Sequence, residues 1–129
     1  MSYKFSYTHH RRPKPLLWVG STLDDMRVFP ADARSRAGYQ LRRLQEGLEP
    51  EDHRPMPTVG LGVQELRIHT TLEHRVVFVT RFPEAVYVLH AFQKKSQRTA
   101  RRDLNLARER YRQMRSWRQE RQQETGETS

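Results

Sequence analysis

Three apolar segments that follow one another closely limit the fold of this chain most. They are residues 63–70 ("VQELRIHT"), 75–82 ("RVVFVTRF") and 85–92 ("AVYVLHAF"), and only a few residues separate each segment from the next. Their content of β-branched and aromatic residues is typical of strands. Parallel neighbours need a crossover of about a dozen residues or more, so the short connections predict hairpins and antiparallel pairing.

The residues before this three-stranded meander predict one strand and two helices. Residues 15–21 ("PLLWVGS") form a short apolar run that a glycine interrupts, which is typical of an edge strand. Two aspartates would occupy the first turn of a short helix over residues 23–29, where the helix dipole favours carboxylates. A second helix is expected to start near Pro30, with an apolar stripe formed by Ala37, Leu41, Leu44 and Leu48. Residues 49–62 are rich in proline and glycine and predict a loop.

A third helix is predicted after the meander. It covers roughly residues 100–118, with an apolar stripe formed by Leu104, Ala107, Tyr111 and Met114. We interpret residues 1–14 as a basic arm, residues 15–118 as the domain and residues 119–129 as a polar, disordered tail. Helices grouped beside an antiparallel sheet indicate the α+β class. The expected architecture is a small antiparallel sheet flanked by two N-terminal helices and one C-terminal helix.

The charge of the chain limits the kinds of partner that it can be expected to bind. The sequence has 129 residues with 24 Lys and Arg against 15 Asp and Glu, a formal net charge of +9. Such an excess favours polyanions or an acidic protein as partner. Cysteine is absent, which excludes disulfides and thiolate chemistry. No apolar stretch reaches the roughly 20 residues of a membrane span and no signal-peptide core is present, so we expect a cytoplasmic protein that does not bind membranes.

Familiar catalytic motifs are missing from the sequence. It contains no phosphate-binding glycine loop, no dinucleotide fingerprint and no nucleophile elbow. The six histidines lack the spacing of metal ligands, so we expect neither a metal site nor another cofactor. His69 and His90 are candidates for a general base, although a structural role is the simpler interpretation of each.

Four basic residues are predicted to converge at one end of the meander. Arg67 lies on the polar face of its strand, and the hairpin brings Arg75 close to it. Lys94 and Lys95 follow the third strand, whose end lies beside the start of the second. Taken singly, each is better explained as a strand-end charge that discourages edge pairing. Their convergence favours a site for a phosphate group, since several cations on one patch suit that ligand.

The sequence also resembles a known protein family. The runs "VQELRI", "HRVVFV" and "AVYVLHAFQKKSQRTARRDLNLARERY" resemble toxins of the RelE/ParE superfamily. The combination of E-L-R, R-V-V-F and H-A-F-x-K-K-S-Q-x-T is closest to the phage-derived, HigB-like branch of bacterial type II toxin–antitoxin systems. The resemblance covers roughly residues 15–114. Where the familiar motif often has proline after the threonine, this chain has Ala100.

The resemblance implies a ribosome-dependent mRNA endonuclease that inhibits translation by metal-independent phosphodiester cleavage. It implies two kinds of partner, namely the ribosome with its mRNA and a cognate antitoxin of helix-turn-helix, HigA-like type. The residues that match the basic positions of the family's motif are the catalytic candidates, and they are Arg67, Arg75, Lys94 and Lys95. The candidates for RNA binding are Gln97, Arg98 and Thr99.

Three other functions remain open at this point. A DNA gyrase poison of ParE type would have the same fold, but it would need no phosphate site. A nonenzymatic nucleic-acid-binding or phage regulatory protein would bind through the basic final helix, with a steep dependence on salt. A degenerate toxin would retain only the binding of its antitoxin.

Overall fold

The computed structural model describes residues 12–128, so most of the predicted arm, with His9 and His10, lies outside the described residues. Five strands and three helices occupy this range. In chain order they are β1 (Leu16–Trp18), α1 (Thr22–Arg27), α2 (Ala31–Gln45), β2 (His53–Pro55), β3 (Val63–His69), β4 (Glu73–Val79), β5 (Val86–Lys94) and α3 (Arg101–Thr128).

The strands form one mixed sheet in the order β1-β5-β4-β3-β2. β3, β4 and β5 pair antiparallel, which confirms the predicted meander and, with the helices, the α+β class. β1 runs parallel to β5, so the sheet is mixed, where the sequence predicted antiparallel pairing. The reason is the length of the connection: α1, α2 and three strands separate β1 from β5, which is ample for a parallel return.

β2 lies inside the segment predicted to be a loop, and the prediction is wrong there. It pairs antiparallel with β3 at the edge of the sheet. Proline is tolerated on an edge strand, because the outer side of that strand needs no N–H donor, and Pro55 is its last residue. The Met56 N–H then donates to the Val63 carbonyl at 2.8 Å. A proline-rich strand of three residues has too little pattern to be recognised from sequence.

The two faces of the sheet hold separate cores. On the first face, α1, α2 and the turn between them are packed through Met26, Phe29, Ala37, Leu41 and Leu44 against Leu66, Ile68, Val76, Phe78 and Val88. On the second face, α3 is packed through Ala107, Tyr111 and Met114 against Val63, Val77, Val79, Tyr87 and Leu89. The alternation of side chains along β3 and β4 places Arg67 and Arg75 on this second face.

α2 is shorter than its predicted apolar stripe. It ends at Gln45, and Leu48 is 48% exposed rather than buried. Gly47 takes a positive φ of 78°, and its N–H donates to the Leu44 carbonyl. Because Gly47 has this left-handed conformation, the chain leaves the helix there and Leu48 does not pack with the apolar stripe.

α3 is longer than predicted. It continues to Thr128, past the end predicted near Arg118. Contacts beyond the apolar stripe hold it: the Arg118 guanidinium donates to Glu84 at 2.6 Å and lies 3.7 Å from the Phe82 ring centroid. Neither α3 nor any other helix within residues 12–128 combines the length and apolar content needed to cross a membrane.

Candidate functional site

Strand register brings three of the predicted basic residues onto one face of the sheet. Arg67 on β3 is directly opposite Arg75 on β4, which confirms the expected proximity. Lys94, the last residue of β5, is opposite Glu73 and therefore diagonal to Arg75. The three cations lie on the face that α3 covers, beyond the apolar residues that α3 contacts.

Carboxylates separate these cations, and sequence reasoning missed their role. Glu65 is almost completely buried, and its Oε1 accepts a hydrogen bond from Arg54 Nε at 3.0 Å. Glu73 Oε1 accepts a hydrogen bond from Arg75 Nη1 at 2.9 Å. Asp52 lies in the connection before β2, with its Oδ1 at 3.8 Å from Arg67 Nε. The site is a mixed cluster in which each arginine already has an acidic neighbour.

Arg75 is the most rigidly held cation of the cluster. Its side chain is only 5% exposed, and Nη1 also donates to the His74 carbonyl at 2.9 Å. Its Nε lies 3.9 Å from Glu65 and has no hydrogen-bond partner among the described residues. Arg67 is similar in this respect, because its buried Nε also lacks a partner there. The closest acidic oxygens to these two Nε atoms are 3.9 Å away for Arg75 and 3.8 Å away for Arg67, so both guanidinium groups lie beside carboxylates.

His69 lies at the rim of the cluster between two carboxylates. Its Nδ1 is 2.8 Å from Glu73 Oε1, and its Nε2 is 2.5 Å from Asp52 Oδ2. The hydrogen bond with Glu73, followed by that with Asp52, raises the pKa of His69 above its ordinary value. The bond from His69 lowers the pKa of Glu73, against the raising effect of burial. This arrangement favours the imidazolium form, so His69 is poorly suited to the general-base role considered from the sequence.

Lys94 and the residues after it lie at the entrance to α3. Lys94 is partly exposed, and its Nζ donates to the Gln97 carbonyl at 2.5 Å. Lys95 is exposed and lies outside β5, in the connection to α3. Gln97, Arg98 and Thr99 belong to the same connection, so register does not place them with the two arginines. Their roles in catalysis or RNA binding stay predictions.

The contacts of His90 indicate a structural role. Its Nε2 is 2.8 Å from Asp103 Oδ1, and its Nδ1 is 3.3 Å from the buried Arg110 guanidinium. Burial lowers the pKa of His90, although the bond with Asp103 opposes this effect. The contacts tie β5 to the first turns of α3. That helix begins directly after Ala100, whose carbonyl accepts from the Asp103 N–H at 3.0 Å. The helix therefore starts there without the proline of the familiar motif.

The sequence matches one family model, that of the Phage derived protein Gp49-like (DUF891) family, over residues 24–112. The match spans more than half of the chain, and the chain belongs to this family. The family is associated with RelE-like toxins. The matched range includes Arg67, Arg75 and Lys94. No curated protein matches the sequence significantly.

Proposed function

We propose that this Gp49-like protein is the toxin of a HigB-like type II toxin–antitoxin system and cleaves mRNA on the ribosome. The observation that supports this most is the strand register that brings Arg67, Arg75 and Lys94 together at one end of the sheet. A protein that acted only by contacting another protein would have no need of basic residues from three strands at one place.

The chemistry needs no protein nucleophile. The ribose 2′-oxygen attacks the adjacent phosphorus and loses its proton, the bond from phosphorus to the 5′-oxygen breaks, and that oxygen gains a proton. A 2′,3′-cyclic phosphate and a 5′-hydroxyl result. The protein must align the hydroxyl and stabilise the extra negative charge on the phosphate oxygens.

We assign these tasks to the basic residues according to their positions. Arg75 is held by Glu73 and the His74 carbonyl, so it offers a preorganised cation to the scissile phosphate. Lys94 is partly exposed at the same end and would bind the phosphate from β5. Arg67, with its side chain 35% exposed, would add charge stabilisation. Lys95 remains a candidate for proton transfer or further charge.

Lys94→Ala is the cleanest test of the proposed activity, because Lys94 is partly exposed and makes one hydrogen bond to a carbonyl. In a translation reaction with purified ribosomes, we expect cleavage of bound mRNA to fall by roughly 10²-fold, the usual effect of losing one transition-state donor. Arg42→Ala is the matched control, since Arg42 is an exposed cation on α2, at the opposite face of the sheet. Equal cleavage by Lys94→Ala, Arg42→Ala and wild type would contradict the assignment.

A nonenzymatic nucleic-acid-binding protein is the second candidate, and α3 supports it. The helix exposes a row of basic side chains at Arg101, Arg102, Arg112 and Arg115. Under this function, binding would weaken steeply with salt and Lys94→Ala would reduce affinity only slightly. Affinity and cleavage measured on the same Lys94→Ala sample distinguish the two functions.

The proposed partner is a helix-turn-helix antitoxin of HigA-like type. A chain of net charge +9 favours an acidic partner surface. Growth of cells that express the protein alone, compared with cells that co-express the protein encoded by the adjacent gene, tests the pairing. Rescue of growth by the neighbour, with a stable complex on purification, is expected. Equal growth in both cultures would argue against it.

A further inference from the structure

A continuous chain of polar contacts links both arginines of the cluster through one histidine ring. Arg67 Nε lies 3.8 Å from Asp52, and Asp52 is 2.5 Å from His69 Nε2. On the other side of the ring, His69 Nδ1 is 2.8 Å from Glu73, and Glu73 Oε1 accepts from Arg75 at 2.9 Å. The two carboxylates are therefore shared between the histidine and the arginines.

The ring itself contacts two carboxylates, those of Asp52 before β2 and Glu73 on β4. The neighbouring elements carry further charged residues, which are Arg36 on α2, Arg67 on β3, Arg75 on β4 and Lys94 on β5. Arg36 Nη1 donates to the His69 carbonyl at 2.7 Å and so fixes the backbone at this point. Glu73 accepts a hydrogen bond from Arg75 while it contacts His69, so the ring and the arginine are positioned through the same carboxylate.

We infer that His69 is a positioning residue for the phosphate site, whose doubly protonated ring holds Asp52 and Glu73 where these carboxylates fix Arg67 and Arg75 for contact with RNA phosphate. The inference rests on the proposed function for the identity of the anion. A neutral ring has one N–H, so it can donate to only one of the two carboxylates. The other carboxylate is then no longer held by the ring, and the arginine beside it loses its fixed position.

The direction of the pH effect follows from these contacts. Hydrogen bonds with Glu73 and Asp52 raise the pKa of His69 above 6.5, so the ring is charged at and below that pH. Affinity for RNA should be highest there and fall as pH rises through the raised pKa. We expect a decrease of about tenfold, a usual size for coupling between two groups.

The experiment measures binding of a 2′-O-methyl RNA oligonucleotide, which cannot be cleaved by 2′-oxygen attack, across this pH range. His69→Gln is expected to bind weakly at every pH, and His69→Arg, which keeps a cation, is expected to bind without the decrease. His53→Gln is the matched control, because His53 also contacts a carboxylate, Glu49, at 2.9 Å. It should retain the wild-type profile.

Nuclear magnetic resonance of the arginine side chains provides a readout that needs neither RNA nor catalysis. In the wild type the Arg67 and Arg75 signals should follow the titration of His69, and in His69→Gln they should not. The inference would be overturned if His69→Gln kept the wild-type pH profile of RNA binding. It would also be overturned if the Arg67 and Arg75 signals of the wild type did not change as His69 titrates. A protein that shows this coupling but cleaves no mRNA would disprove the proposed endonuclease and leave the role of His69 intact.

Discussion

Arg75 serves the fold as well as the proposed reaction, and this affects how its variants are interpreted. It lies beside Glu65, a carboxylate that is 1% exposed and whose Oε2 has no hydrogen-bond partner among the described residues. Removing the cation leaves a buried negative charge with Arg54 as its remaining partner. Loss of activity in an Arg75 variant would therefore combine lost chemistry with lost stability.

Arg75→Ala should lower the free energy of unfolding by roughly 1–3 kcal/mol, the cost of leaving a buried polar group unsatisfied. Urea unfolding followed by circular dichroism measures it. The double variant Glu65→Gln/Arg75→Ala should recover part of the loss, since no buried charge remains. Lys94→Ala should stay within roughly 0.5 kcal/mol of wild type, as expected for a partly exposed side chain. An Arg75→Ala protein as stable as wild type would show that Glu65 does not depend on this cation.

Strand alternation and pairing allow some of the site to be predicted from sequence. Period-two alternation places Glu65 and Arg67 on the same face, and a tight hairpin brings Arg75 beside Arg67. The positions of the acidic residues in the cluster cannot be predicted in this way. Asp52 reaches His69 because β2 pairs with β3 in one particular register, and nothing in residues 49–62 indicates that a strand forms. Long-range register depends on tertiary packing rather than on local pattern.

At the scale of elements, the second half of α3 contacts the β4–β5 connection through an ion pair between Arg118 and Glu84. Glu84 accepts hydrogen bonds from Arg118 and from the Tyr87 hydroxyl, at 2.6 Å in each case. The bond from Arg118 is the main cause that lowers the pKa of Glu84 from 4.5 to about 2. Stability from this carboxylate is therefore present above pH 4.5 and is lost as the pH falls towards 2.

Glu84→Gln should therefore melt at a lower temperature than wild type near neutral pH, and the difference should shrink as the pH falls below 4.5. The effect should be modest because Glu84 is 40% exposed and solvent screens the pair. Melting curves of both proteins at several pH values provide the measurement. A difference independent of pH would mean that the pair with Arg118 does not stabilise the helix.

Two glycines offer a contrasted test of packing between elements. A Cβ atom at Gly60 would lie 2.5 Å from the ring of the buried Tyr111, whereas one at Gly38 in α2 would meet nothing within 4 Å. Gly60→Ala should destabilise the protein by roughly 1–3 kcal/mol, the usual cost of overpacking. Gly38→Ala should stabilise it by up to about 1 kcal/mol, since alanine is the better helix former. Urea midpoints that moved in the same direction for both variants would contradict the packing of α3 on the Gly60 loop.

At the scale of the whole molecule, local signals predict the middle of the fold better than its edges. The meander and the start of each helix follow from strand alternation, short connections and apolar stripes, because these patterns express burial directly. The parallel pairing of β1 with β5 and the edge strand β2 depend on packing between distant segments, and three-residue strands carry almost no pattern. The length of α3 past Arg118 depends on contacts with the β4–β5 connection.

The molecule as a whole joins a cationic cluster to a long basic helix on the same face of one sheet. This combination suits an enzyme that docks on a large RNA assembly and acts on one phosphate within it. Docking should lose affinity steeply as salt rises, because basic side chains release counterions from the RNA. If ribosome binding were insensitive to salt, measured by sedimentation between low and moderate ionic strength, the exposed arginines of α3 would have no part in docking.

Mapping mRNA 5′ ends after brief expression in cells tests the central proposal most directly. For the wild type, we expect new 5′ ends inside translated regions at codons in the ribosomal A site, and none when translation is blocked beforehand. In Lys94→Ala these ends should disappear, while Arg42→Ala should produce them as wild type does. Growth arrest without new mRNA ends, accompanied by altered DNA supercoiling, would contradict the endonuclease and indicate a gyrase poison instead.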